Sequence, residues 1–131
     1  MHLIFGGAYQ GKLDYARERY QIREEDIFRC PKEEKGSAEP AIDFTKKVIC
    51  GLEDFIFSCV QRGIEAREYL AENRDKWSDK VFICTDISSG VVPCDGELRA
   101  WREMVGRTLI YLGKEAEEVT RIFCGLSQKI K

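Results

Sequence analysis

Seven residues near the start of the chain, Gly6-Gly7-Ala8-Tyr9-Gln10-Gly11-Lys12, have the types and spacing that hold phosphate. They match the first seven positions of G-x-x-x-x-G-K-[ST]. Glycines let the backbone curl so that successive amides face phosphate oxygens, the helix that follows adds the positive end of its dipole, and the lysine reaches the β- and γ-phosphates. The eighth position should carry a hydroxyl for Mg²⁺, and here it is Leu13. An alkyl chain cannot ligate a hard cation, yet it leaves the backbone nest untouched, so anion binding and cation placement become separate questions. Mg²⁺ keeps several waters and takes few protein ligands, so a carboxylate elsewhere can hold it. Asp86, expected just beyond a strand, is the candidate, ahead of Asp14 on the helix itself. The opposing reading makes Gly6-Gly7 a tight strand-to-helix turn, Lys12 a solvated side chain and Asp86 a turn or capping carboxylate.

Such a loop works only between a strand and a helix, and the flanking residues fit. Leu3-Ile4-Phe5 reads as a buried strand, and residues 13–21 are rich in helix formers with Leu13, Ala16 and Tyr20 at helical spacing. Residues 27–30 read as a second strand and 31–40, charged and bounded by prolines, as an exposed loop. Across 41–63 the apolar spacing is mostly helical. Val48-Ile49-Cys50 could instead be a short strand, and Gly51 leaves the two readings open. Residues 64–77 read as a helix, 80–84 as a buried strand and 85–94 as a loop. A long helix follows, with Asp95 near its start and a stripe of Leu98, Trp101, Val105, Leu109 and Leu112; residues 119–124 make the last strand. Trp101 fits this stripe better than a base-stacking platform. Alternating strands and helices predict a single α/β domain over residues 1–131, with a mostly parallel sheet between helix layers. Ligands of such sheets bind beyond the carboxyl ends of the strands, where the loops after Phe5 and Cys84 emerge together.

The composition sets outer bounds. With 131 residues, 44% hydrophobic and 34% charged, the chain can bury a core of its own. The 21 basic and 23 acidic side chains are interspersed and give a net charge of -2, which argues against nucleic acid as a partner. The start lacks the apolar length and basic flank of a signal peptide, and no stretch approaches the length of a membrane helix, so no membrane insertion is expected. Six cysteines without a Cys-x-x-Cys pair read as reduced, buried thiols of a cytoplasmic protein rather than as a metal site.

A second set of residues lies further along: "CTDISSGVVP" at 84–93, then Arg99, Trp101-Arg102-Glu103, Gly106-Arg107, Cys124-Gly125-Leu126, Lys129 and Lys131. Together with Gly6-Gly7-Ala8 and Gly11-Lys12, their order and spacing resemble the adenosylcobinamide kinase / adenosylcobinamide-phosphate guanylyltransferase family. In that family a GGARSGKS loop opens the chain. A SNEVGxGIVP-like segment, an R-x-F-R-D helix and a G-R-x-N-Q turn come later. The likeness covers residues 1–13 and 81–131. Besides Leu13, the departures are Thr85-Asp86 for Asn-Glu and Leu109-Ile110 for Asn-Gln.

The resemblance implies a three-layer P-loop, RecA-like fold, usually a homo-oligomer. Its activity is transfer of phosphate from ATP or GTP, with Mg²⁺, to the aminopropanol hydroxyl of a corrinoid. It assigns nucleotide binding to Gly6, Gly7, Ala8, Tyr9, Gln10, Gly11, Lys12 and Leu13. Lys12 and the loop amides hold the donor, Asp86 positions Mg²⁺ or accepts the hydroxyl proton, and Arg99, Arg102 or Arg107 stabilise transferred charge. The bland alternative for these arginines is a solvated helix face. The family's guanylyltransferase activity uses a histidine between the two motif regions. This chain has none after His2, so that activity is not expected. Two rival readings are a regulatory nucleotide binder that has lost catalysis, and a structural subunit with an unoccupied loop.

Overall fold

In the computed structural model, which describes residues 1–32, 39–88 and 94–131, the apolar run at the start forms β1 (His2–Gly6), and the loop beyond it enters α1 (Lys12–Tyr20). A 3-10 turn at Glu24–Asp26 leads into β2 (Ile27–Arg29), and β3 (Val48–Cys50) follows. Gly51, at φ +76°, turns the chain from β3 into α2 (Leu52–Arg62). Then come α3 (Ala66–Glu72), α4 (Arg74–Trp77), β4 (Val81–Thr85), α5 (Gly96–Glu115), β5 (Glu118–Phe123) and β6 (Leu126–Lys129). The open choice at Val48-Ile49-Cys50 falls to the strand. These three residues pair in parallel with both β2 and β4, Val48 opposite Ile27 and Val81, and that pairing satisfies their backbone in the middle of the sheet.

The sheet order is β2-β3-β4-β1-β5-β6, parallel except for β6, which pairs antiparallel with β5. From β1 the chain crosses to the far edge at β2, whereas every later crossover runs the other way. Right-handed crossovers then put α1 on one face and the remaining helices on the opposite face. The core has these two sides. Ile4, Val48, Val81, Ile83 and Ile122 face Ala16 of α1. Leu3, Ile49, Phe82, Cys84 and Val119 face Ile56, Leu70, Val105 and Leu112 of the other layer. Adjacent residues of one strand thus serve opposite layers, as expected for a parallel sheet covered on both faces. The α/β architecture with a mostly parallel central sheet between helices is as the sequence predicts.

Three details differ from expectation. The helix over 64–77 is two short helices broken at Asn73, whose side-chain amide donates to the Tyr69 carbonyl at 2.8 Å. The break lets Trp77 turn inward, its Nε1 donating to Leu70 O at 2.8 Å and its ring meeting Phe82. Residues 119–124 do not end the sheet, because Cys124-Gly125 turns back into β6, an edge strand exposed throughout and too polar to read as a strand. Of the six cysteines only Cys30, Cys59 and Cys84 are buried; Cys94 and Cys124 are exposed. Among the described residues, no helix is long and apolar enough to cross a membrane.

Candidate functional site

The glycine loop leaves the carboxyl end of β1 at the point where the chain's crossovers change direction, the position where ligands bind in open α/β sheets. Gly6 is required there by its neighbour. A Cβ on it would lie 2.3 Å from the Ile122 carbonyl of β5. The Asp86 amide donates to Gly6 O at 2.8 Å, tying the end of β4 to the start of the loop. Tyr9 and Gly11 both take left-handed backbone, φ +57° and +90°, curling the chain into α1; the Tyr9 side chain is fully exposed at the rim. Gly11 is the N-cap of α1 and brings no side chain to that end of the helix, which leaves its amides and the positive pole of its dipole to a ligand. Lys12 opens the helix, is only 9% exposed, and its ammonium donates to the Gly7 carbonyl at 2.6 Å. On the outer side the β5–β6 turn clamps the loop. The Gly125 amide donates to Gln10 O at 3.0 Å, and the Cys124 amide donates to Gln10 Oε1.

In front of the loop lies a cleft of about 560 Å³, whose wall runs from Tyr9 to Asp14 and across the ends of β2, β3 and β4. Lys12, Arg29 and Lys32 bring positive charge to it, Asp14 and Glu53 negative charge. Arg29 is held at the rim by Glu24, whose carboxyl the Arg29 and Arg17 guanidiniums keep below the usual range. Burial, reinforced by the Glu53 charge, pushes the Cys50 thiol up, so Cys50 meets a ligand as a neutral, weakly polar group. Glu53, in the first turn of α2, is held at two points. Its Oε2 accepts the Thr85 amide at 2.9 Å, and its carbonyl accepts Trp101 Nε1 of α5 at 2.8 Å. Its charge reaches Asp54, whose carboxyl is raised by burial first and by Glu53 second.

The residues singled out from sequence separate into four places. Tyr9, Gln10, Gly11, Lys12 and Leu13 line the cleft, with Gly6, Gly7 and Ala8 forming the loop that leads to it. Leu13 also packs against the α1-side core. Asp86 follows Thr85 without lining this wall itself: its Oδ1 accepts the Ser88 amide at 2.9 Å and the Ser88 hydroxyl, the local turn that a short carboxylate favours. Arg99 and Arg102 form a second, smaller cleft of about 280 Å³ with Ser88 and Glu103. Arg99 donates to Cys94 O at 2.7 Å and Arg102 to Ser88 O. The segment Gly90-Val91-Val92-Pro93 lies outside the described residues. Arg107 belongs to neither cleft; it pairs with Glu65 at 3.1 Å and ties α5 to the residue that caps α3.

Glu53, Thr85, Arg29 and Lys32 are among the cleft residues that the sequence reading did not pick out. The available signal was the strand reading of Val48-Ile49-Cys50, which puts the residues just after Cys50 at the carboxyl edge of the sheet. For a divalent cation, the donors present are the Glu53 and Asp14 carboxylates and the Thr85 hydroxyl. Among the described residues, no three His, Cys, Asp or Glu side chains converge as a cage, so the fit is to a cation carried mainly by a ligand's own oxygens, the habit of Mg²⁺ with phosphates. A scan of the chain against protein-family models found no match, and neither did a search of curated proteins.

Proposed function

We propose that this protein is a P-loop, RecA-like nucleotide-binding domain that takes ATP or GTP at residues 6–13 and transfers the terminal phosphoryl group to an alcohol. The resemblance in sequence makes that alcohol the aminopropanol hydroxyl of a corrinoid. One observation carries the reading: the buried Lys12 ammonium sits on the Gly7 carbonyl beside an uncapped helix start, at the mouth of a cleft along the carboxyl edge of the sheet. A phosphate exchanges that single neutral acceptor for charged oxygens, adding ion-ion attraction to a bond whose donor is already charged.

In the reaction, the acceptor oxygen forms a bond to the γ-phosphorus as the bond to the β–γ bridging oxygen breaks. The nucleoside diphosphate departs, and the hydroxyl proton passes to a base or to solvent. The chain's share is positioning and charge neutralisation. Mg²⁺, when bound with the nucleotide, would supply charge neutralisation at the phosphates, with oxygen donors of the cleft wall to hold it. Arg29 and Lys32 lie on the wall contributed by β2 and its following loop, where they can meet the transferred group. Arg99 and Arg102, in the second cleft, suit an anionic acceptor or product. Cytoplasmic location and assembly into a homo-oligomer belong to the same reading.

Calorimetric titration with ATP and GTP, with and without Mg²⁺, tests it. Lys12→Ala is expected to weaken binding about tenfold or more, the equivalent of one lost charge-assisted bond. Equal binding by the variant overturns the site. Incubation with labelled nucleotide, Mg²⁺ and cobinamide then reads transfer. Leu13, an alkyl group partly buried where a hydroxyl is usual, favours a second reading in which the nucleotide is bound and not turned over; binding without labelled product decides for it.

A further inference from the structure

We propose that Glu53, with Thr85 next to it on the cleft wall, positions the divalent cation that Leu13 cannot. This rests on the nucleotide-binding reading above and deepens it. Both residues line the cleft that Lys12 borders, although they come from different elements, the first turn of α2 and the last residue of β4. The Thr85 amide joins them, donating to Glu53 Oε2 at 2.9 Å; among the described residues no donor engages Glu53 Oε1. The backbone of the same residue is fixed from the other side by Trp101 Nε1 on its carbonyl at 2.8 Å. The carboxylate is therefore presented by the junction of α2, β4 and α5 rather than by a loop, the arrangement that keeps a functional group in place.

The other oxygen donors do not compete on geometry. Asp86 does not line the cleft wall, and its carboxylate is turned to Ser88. Asp14 lines the cleft but its side chain is 83% exposed and lies 3.8 Å from the Arg17 guanidinium, which offsets its charge. Leu13 offers no oxygen. Glu53 and Thr85 together restore the two donor types a nucleotide-bound Mg²⁺ draws from a protein, one carboxylate and one hydroxyl, directly or through retained waters. They also explain how a loop can lose its hydroxyl position to the core. Leu13 packs inward, and the oxygen comes from the neighbouring strand.

The test measures cation binding apart from turnover. Free Mn²⁺ is followed by electron paramagnetic resonance while the full chain is titrated in saturating ADP, and calorimetry gives ADP affinity with and without Mg²⁺. For Glu53→Gln, whose side-chain oxygen can still accept the Thr85 amide, Mn²⁺ affinity of the ADP complex is expected to fall about 10- to 100-fold. The Mg²⁺ enhancement of ADP binding should vanish while metal-free ADP affinity does not fall, because a carboxylate facing the phosphates is lost. Thr85→Val should shift the same quantities in the same direction, and it decides alone should Glu53→Gln not fold. A wild type that binds ADP with no effect of Mg²⁺ or Mn²⁺ overturns the proposal and leaves the nucleotide site standing. So does a loss confined to Asp86→Asn, or an equal loss of metal-free ADP binding in Glu53→Gln. No ADP binding by the wild type removes both readings together.

Discussion

At Gly6 a single missing carbon decides whether β1 can lie against β5. The Ile122 carbonyl would be 2.3 Å from a Cβ, and both partners are backbone in the middle of a sheet, so no side chain can swing aside. Gly6→Ala must therefore push the two strands apart. Overpacking of this kind costs about 3 kcal/mol. Urea unfolding should show the midpoint falling with an unchanged slope, the mark of lost stability rather than an altered unfolded state. A midpoint equal to wild type would mean that the strands separate more freely than this register allows. Lys12 and Gly6 were both visible in the sequence because a strand, a glycine turn and a lysine at fixed spacing form a local pattern. Glu53 was not. Its relation to Lys12 exists only after β3 and β4 have been placed side by side, and in the linear chain it reads as one more charge at the start of a helix. At Asp86, being next to a strand end fixes the backbone, whose amide reaches Gly6 O, while the carboxylate accepts from Ser88 in a local turn.

Elements are joined by a few polar ties whose state depends on pH. At the end of α1, the Tyr20 hydroxyl meets His2 Nδ1 of β1 at 2.6 Å, holding the helix to the amino end of the sheet. Burial, followed by the charge of Glu118 and opposed by Arg19, pushes the Tyr20 phenol up to about 12. An unfolded tyrosine titrates near 10. The folded chain thus holds this proton more tightly, so the stabilisation is complete below about pH 10 and is lost as pH rises toward 12. Chemical denaturation across that window should show stability falling more steeply in the wild type than in Tyr20→Phe. Tyr111, also raised by burial, keeps part of the slope in the variant. Identical slopes would show that Tyr20 ionises as freely in the fold as outside it. Element boundaries were legible where pattern and burial coincide, as in β1, β4 and α5. They failed where tertiary partners decide. β6 has no buried residue to announce it and exists through pairing with β5, while the break at Asn73 is set by the demand that Trp77 reach Phe82.

Across the whole molecule, the cleft draws its walls from both directions along the chain, and the β5–β6 turn closes it from behind by holding Gln10. A ligand on the loop therefore bears on the strand pair at one edge of the sheet as well as on β1 and α1. Ligand that binds only the folded state stabilises by mass action, about 2.7 kcal/mol at a hundredfold excess over Kd. For a domain of this length that corresponds to a rise in Tm of about 10 °C. Calorimetric melting with ADP and Mg²⁺ should show this rise in the wild type and lose most of it in Lys12→Ala. Hydrogen exchange should show where the stabilisation goes. If the turn is an integral wall, amide protection will increase at Cys124 and Gly125 together with residues 7–14, because the amides that hold Gln10 open only when the loop does. Protection confined to the loop would mean that β6 is a passive edge, coupled to the site by proximity alone.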